Sequence, residues 1–212
     1  VVMLKKIFVL LFVLIIIAIV IFIFVKARYG YKLKKGDIKL ERTTDSEASL
    51  MDALQNRRSN RKFSTTPLSN EVIANLLWSA NGVNDKDGRR TAPTARNKQE
   101  MELYVILPTG AYIYMPKENV LNMITEEDLT SKTGYDAPMT IVYVADTTKQ
   151  EKEWAYTDMG FIGQNIYLFC AVNGLNTVFK GSFDDNYLRE ALKVPDHKQI
   201  LAIQDVGYPV EE

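Results

Sequence analysis

Three guanidinium groups and a hydroxyl fall within five residues at Arg57-Arg58-Ser59-Asn60-Arg61. A guanidinium can grip a phosphate through two parallel hydrogen bonds, and a serine hydroxyl adds a further donor. The cluster therefore suits a phosphate, although a solvated basic turn reads the same way when the motif stands alone. A second stretch, Arg90-Thr91-Ala92-Pro93-Thr94-Ala95-Arg96-Asn97-Lys98-Gln99, sets small residues, a proline and two amides ahead of an apolar strand. Loops at strand ends are where ligands are commonly met; the alternative is an ordinary surface loop. In Val178-Phe179-Lys180-Gly181-Ser182-Phe183-Asp184 a strand ends at a glycine. Free N–H groups there can face an anion or a ring nitrogen, or merely turn a strand into a helix. A fourth stretch, Tyr156-Thr157-Asp158-Met159-Gly160 with Gly163, Gln164 and Asn165, puts two glycines inside a helix. Each costs ~1 kcal/mol relative to alanine, which points to close packing against another helix or a ligand. Cys170 reads as a small core residue and His197, after Pro195-Asp196, as an exposed loop residue. A single cysteine and a single histidine exclude an internal disulfide framework and argue against a zinc site. The sequence offers no nucleophile–base pair, no Walker-type loop and no glycine-rich dinucleotide fingerprint.

The elements that must hold these stretches follow from periodicity and punctuation. Apolar residues at helical spacing mark Ser49 to Asn56, and again a helix from an N-cap at Ser69 through Ala80 with Gly82 just past its end. Strands are expected over Glu102 to Leu107, Ala111 to Met115, Met139 to Ala145, Thr177 to Lys180 and Ile200 to Val206. Lys117 to Leu129 reads as a weaker helix, Lys152 to Asn173 as the longest one, and Asp184 caps a last helix through Leu192. Helices and strands interleave, so the class is α/β or α+β around one core.

The formal net charge of zero is a cancellation. Seven basic residues and no acidic one precede Gly36, which leaves 19 basic against 26 acidic residues in the body. An acidic body argues against nucleic acid as a partner. Ile7 to Val25 is an unbroken run of 19 apolar residues, ~28 Å long as a helix. It reads as a single-pass membrane anchor; a cleaved signal peptide or a fully buried helix are the alternatives. The flanking charges lean towards a cytoplasmic body, and cleavage of a signal would make the body an exported one. The organisation expected is an anchor over 1–35, a polar linker over 36–47 and one domain over 48–212.

Taken together, the stretches resemble the FMN-dependent nitroreductase family over about Asp45 to Pro209, closest to its short, thiazoline/oxazoline dehydrogenase-like branch. Five pieces carry the resemblance, in family order. They are Arg57 to Phe63, Leu76-Leu77-Trp78-Ser79-Ala80-Asn81-Gly82, Arg90 to Asn97, Gly174-Leu175-Asn176-Thr177-Val178 with Gly181-Ser182, and Val206-Gly207-Tyr208-Pro209. The resemblance implies an α+β fold with a central mixed sheet flanked by helices, in an interlocked homodimer, here behind one N-terminal transmembrane helix. It implies FMN at the dimer interface. Arg57, Ser59 and Arg61 match the positions on the phosphate and ribityl chain, Arg61 also approaching the pyrimidine edge, and Arg58 takes a variable position of that motif. Pro93, Thr94 and Ala95 match the loop along the flavin ring, contributed by the other subunit; Asn97 and Gln99 are amides near it. Gly181 and Ser182 match the backbone beside flavin N5. The long helix from Lys152 would form the dimer core and give Gly160 and Gly163 their packing role.

The implied activity is ping-pong reduction of a nitroaromatic, quinone or similar small-molecule acceptor, with NAD(P)H as electron donor. No side chain need act as an essential acid or base, so no catalytic residue is assigned. A flavin-dependent dehydrogenase of a peptide or small molecule, and a non-catalytic membrane-anchored dimeric interaction module, are the competing readings. Two departures from the family pattern imply a more open pocket: Val210-Glu211-Glu212 stand where many members carry basic residues, and Lys132-Thr133-Gly134-Tyr135-Asp136 is short.

Overall fold

A computed structural model of the chain describes residues 15–17, 33–42 and 48–210. The chain divides into two compact units, Val1–Leu33 and Lys34–Glu212. The expectation of a membrane anchor, and with it of a membrane location and a membrane partner, is corrected here. Among the described residues no helix is long and apolar enough to cross a membrane. The 7–25 run lies outside the described residues apart from 15–17, which are helical and exposed. The longest described helix carries Lys152, Glu153, Asp158, Gln164 and Asn165, and a span needs about 20 predominantly apolar residues.

The second unit is built on a seven-stranded sheet in the order β1-β4-β3-β2-β5-β7-β6. Its strands are β1 (Ile38–Lys39), β2 (Met101–Leu107), β3 (Gly110–Met115), β4 (Val120–Thr125), β5 (Met139–Asp146), β6 (Asn176–Lys180) and β7 (Lys198–Gly207). Four helices accompany it: α1 (Leu50–Asn56), α2 (Asn70–Asn81), α3 (Lys152–Val172) and α4 (Asp185–Ala191). Every pairing is antiparallel, so the expected mixed sheet is corrected. The reason lies in the β5–α3–β6 crossover. It leaves β5 and β6 pointing the same way but one strand apart, and β7 fills the gap antiparallel to both.

Local signals set the helix ends. Ser49 caps α1 in a capping box with Asp52, Ser69 caps α2, and Asp184 caps α4. Gly82, just past α2, has ordinary extended backbone, but a Cβ there would lie 2.2 Å from the Trp78 ring, so the glycine makes room for the indole. β5 reads as a continuous apolar run because both of its faces are covered. Met139, Ile141, Tyr143 and Ala145 join the core under α2 and α3, while Val142 and Val144 join the core under α4.

Two expectations give way to tertiary pairing. Lys117 to Leu129 is not a helix: Asn119 takes a left-handed φ of 52° at the turn, and β4 pairs back on β3 with Leu121 in the core. The 36–47 linker begins as structure, with β1 paired to β4, Leu40 buried, and the Leu40 N–H donating to the Asn119 carbonyl. Residues 43–47 lie outside the described ones.

Candidate functional site

The Arg57–Arg61 segment leaves α1 in extended form and lies along the open edge of β6. The Asn60 N–H donates to the Thr177 carbonyl at 3.0 Å, and the Phe179 N–H donates to the Tyr167 hydroxyl at 3.0 Å. The same hydroxyl meets Ser59 Oγ at 2.8 Å, and the Arg57 guanidinium lies 5.2 Å from the centre of the Tyr167 ring. Tyr167, on α3, thus caps an edge N–H, orients Ser59 and seats Arg57 by cation–π attraction. A reciprocal amide pair fixes the segment further: Asn60 Nδ2 donates to Asn176 Oδ1 at 2.9 Å, and Asn176 Nδ2 donates to the Lys62 carbonyl at 2.7 Å. The Ser64 N–H donates to the Tyr208 carbonyl at 2.9 Å. Gly207 is needed there, since a Cβ would lie 2.6 Å from Pro138 and 3.3 Å from the Phe63 ring.

Between these pieces opens a cleft of about 640 Å³ lined by Ser59, Asn60, Arg61, Lys62, Asn176, Pro209 and Val210. Its donors are two cations, a hydroxyl and amides, and no carboxylate is among its described lining. Arg58 behaves differently. Its Nη1 donates to the carbonyls of Gln55 and Arg57, both at 2.8 Å, so this guanidinium closes the C-terminal end of α1. Gly181 and Ser182 are exposed just beyond β6, and a Cβ on Gly181 would meet nothing within 4 Å. Space beside that backbone is therefore open to a ligand.

Behind the edge, a buried polar chain crosses three strands. The Tyr143 hydroxyl donates to Gln204 Oε1 at 2.5 Å, Gln204 Nε2 donates to Thr177 Oγ1 at 3.0 Å, and Thr177 Oγ1 donates to the Asp205 carbonyl at 2.8 Å. On the other face Lys180 Nζ pairs with Asp205 Oδ2 at 2.5 Å and donates to the Thr133 carbonyl, while Thr140 Oγ1 donates to Asp205 Oδ1 at 2.7 Å. Burial raises the Asp205 pKa, against the pull of Lys180 and Thr140 in the opposite direction. Through its bond to the Thr133 carbonyl, Lys180 ties the 133 segment to the end of β6.

The Pro93–Asn97 loop is held elsewhere. The Ala95 N–H donates to Asp158 Oδ2 at 2.9 Å, and the Ala95 carbonyl accepts from Gln150 Nε2 at 3.1 Å. Gln99 knits the rest: its N–H donates to Thr94 Oγ1, its Nε2 donates to the Gly88 carbonyl and Asn97 Oδ1, and its Oε1 accepts from Arg90 Nε. Arg96, Asn97 and Gln99 all take left-handed φ values. Asp158 and Tyr167 are nine residues apart on α3, a rise of about 14 Å along its axis. The structure thus joins Arg57, Ser59 and Arg61 to the strand that leads to Gly181 and Ser182, and holds the 93–97 loop at the other half of α3.

α3 also explains its polar and glycine residues. Gly163 faces its own sheet, where a Cβ would make ordinary contact with the Phe179 ring at 3.4 Å and the Tyr143 hydroxyl at 3.5 Å. Gly160 faces open space, and Trp154, Tyr156 and Phe161 of the same helix are exposed. Asn165 Nδ2 donates to the Ala80 carbonyl of α2 at 3.4 Å. Cys170 is buried and His197 exposed, as their sequence contexts predict. Among the described residues no group of His, Cys, Asp and Glu could hold a metal ion. Tyr167 escapes a reading by motif, because a tyrosine in an apolar helix carries no mark of its hydroxyl's partners.

Comparison with known proteins adds to this geometry. A model described as the Nitroreductase family matches residues 54–208. The "Putative nitroreductase MJ1384" of Methanocaldococcus jannaschii is 28% identical over 187 residues, covering 78% of this chain and 93% of that protein. A solved structure described as a "putative nitroreductase" from Ralstonia eutropha JMP134 superposes with a TM-score of 0.77 at 30% identity, over 83% of this chain and 90% of that one. The "FMN-dependent Nitroreductase" of Clostridium difficile R20291 shares the fold, with a TM-score of 0.55 at 23% identity over 76% of this chain and 88% of that one.

Proposed function

The chain belongs to the nitroreductase family, a family of oxidoreductases, and on that premise we propose that it is an FMN-dependent enzyme working as a homodimer. The observation that carries the reading is the cleft of Ser59, Arg61, Lys62 and Asn176, with Arg57 beside it on the Tyr167 ring. Its donor set fits a phosphate ester, and its volume of about 640 Å³ falls in the range of cofactor sites. Bound flavin supplies the two-electron redox chemistry; the chain supplies position and charge.

Arg57, Ser59 and Arg61 hold the phosphate and ribityl chain, with Arg58 adding charge from the end of α1. Arg61 would also supply positive charge to a bound flavin, near its pyrimidine edge. Gly181 and Ser182 offer backbone N–H groups for the ring, just past a strand anchored by the Lys180–Asp205 pair. Pro93, Thr94, Ala95 and Asn97 come from the partner subunit, because within one chain their loop sits on the far half of α3. NAD(P)H is the donor and a nitroaromatic, a quinone or a similar small molecule the acceptor, the two using one open face in turn.

The test is an FMN titration of the purified chain, followed by flavin fluorescence. Arg57→Ala removes a charge-assisted contact worth about 1.5–3 kcal/mol, so affinity should fall about 10- to 150-fold. An unchanged affinity would remove Arg57 from the phosphate site.

A further inference from the structure

Glu100, the residue before β2, is completely buried, and neither of its carboxyl oxygens has an aligned hydrogen-bond partner. Asp158 of α3 is 1% exposed and stands against it. Two carboxylates in contact inside a protein resist being ionised together. Asp158 Oδ2 already accepts the Ala95 N–H, whereas both oxygens of Glu100 lack a partner. The proton therefore belongs on Glu100, whose hydroxyl can then donate to Asp158 and satisfy a group that is otherwise an orphan.

We propose that Glu100 and Asp158 share one proton, and that this proton locks the 94–97 loop onto α3, making Glu100 a positioning residue for the candidate site. What the lock restrains is a strained segment. Arg96, Asn97 and Gln99 sit at φ values of 55°, 53° and 50°, a run that non-glycine residues adopt only when the surroundings impose it. Ala95 is the point of attachment, its N–H on Asp158 and its carbonyl on Gln150. Removing the proton sets two buried negative charges against each other directly behind that attachment. The charged groups acting on Glu100 are Asp158 from α3 and Lys149 from the β5–α3 turn, Lys149 itself lying 3.6 Å from Asp146 Oδ2. Burial is the main cause that pushes the Glu100 carboxyl up to about 7; its own backbone N–H opposes this, Asp158 adds to it and Lys149 works against it. The lock thus titrates near neutrality.

Its consequence for cofactor binding rests on the proposed function; the lock itself does not. The experiment is hydrogen exchange of the peptide containing Ala95, in the full chain without added flavin, read as protection factors from pH 5.5 to 8.5. Linkage to a single proton allows at most a tenfold change per pH unit. Protection in the wild type should be level below about pH 6.5 and fall severalfold to tenfold between about pH 7 and 8. Glu100→Gln, which donates at every pH, should hold its protection level throughout. Should that variant misfold, Asp158→Asn serves instead, because it removes one of the two charges and should also flatten the profile. A flat wild-type profile, or a variant that follows the wild type, would overturn the lock. FMN titrations at the same pH values separate the two readings. Affinity that weakens with loop protection supports both. Absence of FMN binding at any pH, with the exchange pattern intact, overturns the flavin reading and leaves the lock standing.

Discussion

Replacing Tyr167 with phenylalanine removes one oxygen and leaves the ring that packs in α3. That oxygen serves two groups: it accepts the Phe179 N–H at 3.0 Å and meets Ser59 Oγ at 2.8 Å. β6 is the last strand of the sheet, so the Phe179 N–H points off its edge and has no strand to pair with. An unsatisfied buried donor costs about 1–3 kcal/mol, and Phe179 is half-buried, so about 1–2 kcal/mol is the expected loss. For a chain of this size each kcal/mol lowers the melting temperature by about 2–4 °C, giving a drop of about 2–8 °C. The assay is thermal unfolding at fixed protomer concentration, because association would otherwise shift the midpoint. Ser59 also loses its orienting partner, so FMN affinity should weaken by roughly fivefold, equivalent to about 1 kcal/mol. A melting temperature unchanged within 1 °C would refute the reasoning, because water would then be satisfying the strand edge as well as the hydroxyl does.

Lys180→Met strands the fully buried Asp205 carboxylate and should cost about 3–5 kcal/mol in urea unfolding, while Lys180→Met with Asp205→Leu should recover most of that loss. An equal loss in the double variant would show that the pair matters for its shape and not its charge. Phe161→Glu places a charge on the exposed surface of α3, next to Gly160, and on the proposed dimer reading should convert dimers to monomers in sedimentation with the circular dichroism unchanged. Dimers that persist at the same concentration would move the interface off this face.

Much of the fold was legible because its signals are local. Ser49, Ser69 and Asp184 cap helices as the sequence predicts, and the apolar runs of β2, β5 and β7 become buried strands. The errors fall where partners distant in the sequence decide. Val120–Thr125 carries a mixed pattern that fits a helix or a strand, and β3 decides the matter by pairing with it. Residues 37–40 look like linker because a two-residue strand has no periodicity to read, yet β4 and Asn119 fix them. Strand direction could not be read either, since the crossover from β5 to β6 predicts parallel neighbours unless β7 is known to enter between them. For the candidate site, the basic segment and the Gly181 turn were visible as chemistry. The edge they share was not, because Tyr167 and Asn176 act through single hydroxyl and amide atoms. Arg58 shows the converse: a guanidinium within the motif is engaged with helix carbonyls.

The placement of the two segments proposed to face the cofactor argues for a site made by two chains. The basic segment is hydrogen-bonded to Tyr167 and the 94–97 loop to Asp158, about 14 Å apart along α3. A flavin is long enough to need both a phosphate grip and contacts along its ring, and one chain presents them at different ends of one helix. That same helix exposes Trp154, Tyr156 and Phe161 around a glycine with open space above it. Large exposed aromatics on a helix are costly to leave in water and are characteristic of interfaces. If two copies meet there with their α3 helices antiparallel, the Asp158 end of one lies beside the Tyr167 end of the other. Loop and phosphate segment would then face each other across the interface. A proton lost from the Glu100–Asp158 pair of one subunit would loosen the loop over its partner's cofactor. Mixed dimers of wild type with Glu100→Gln can read this directly, since the cofactor made pH-insensitive should be the one bound by the wild-type phosphate segment.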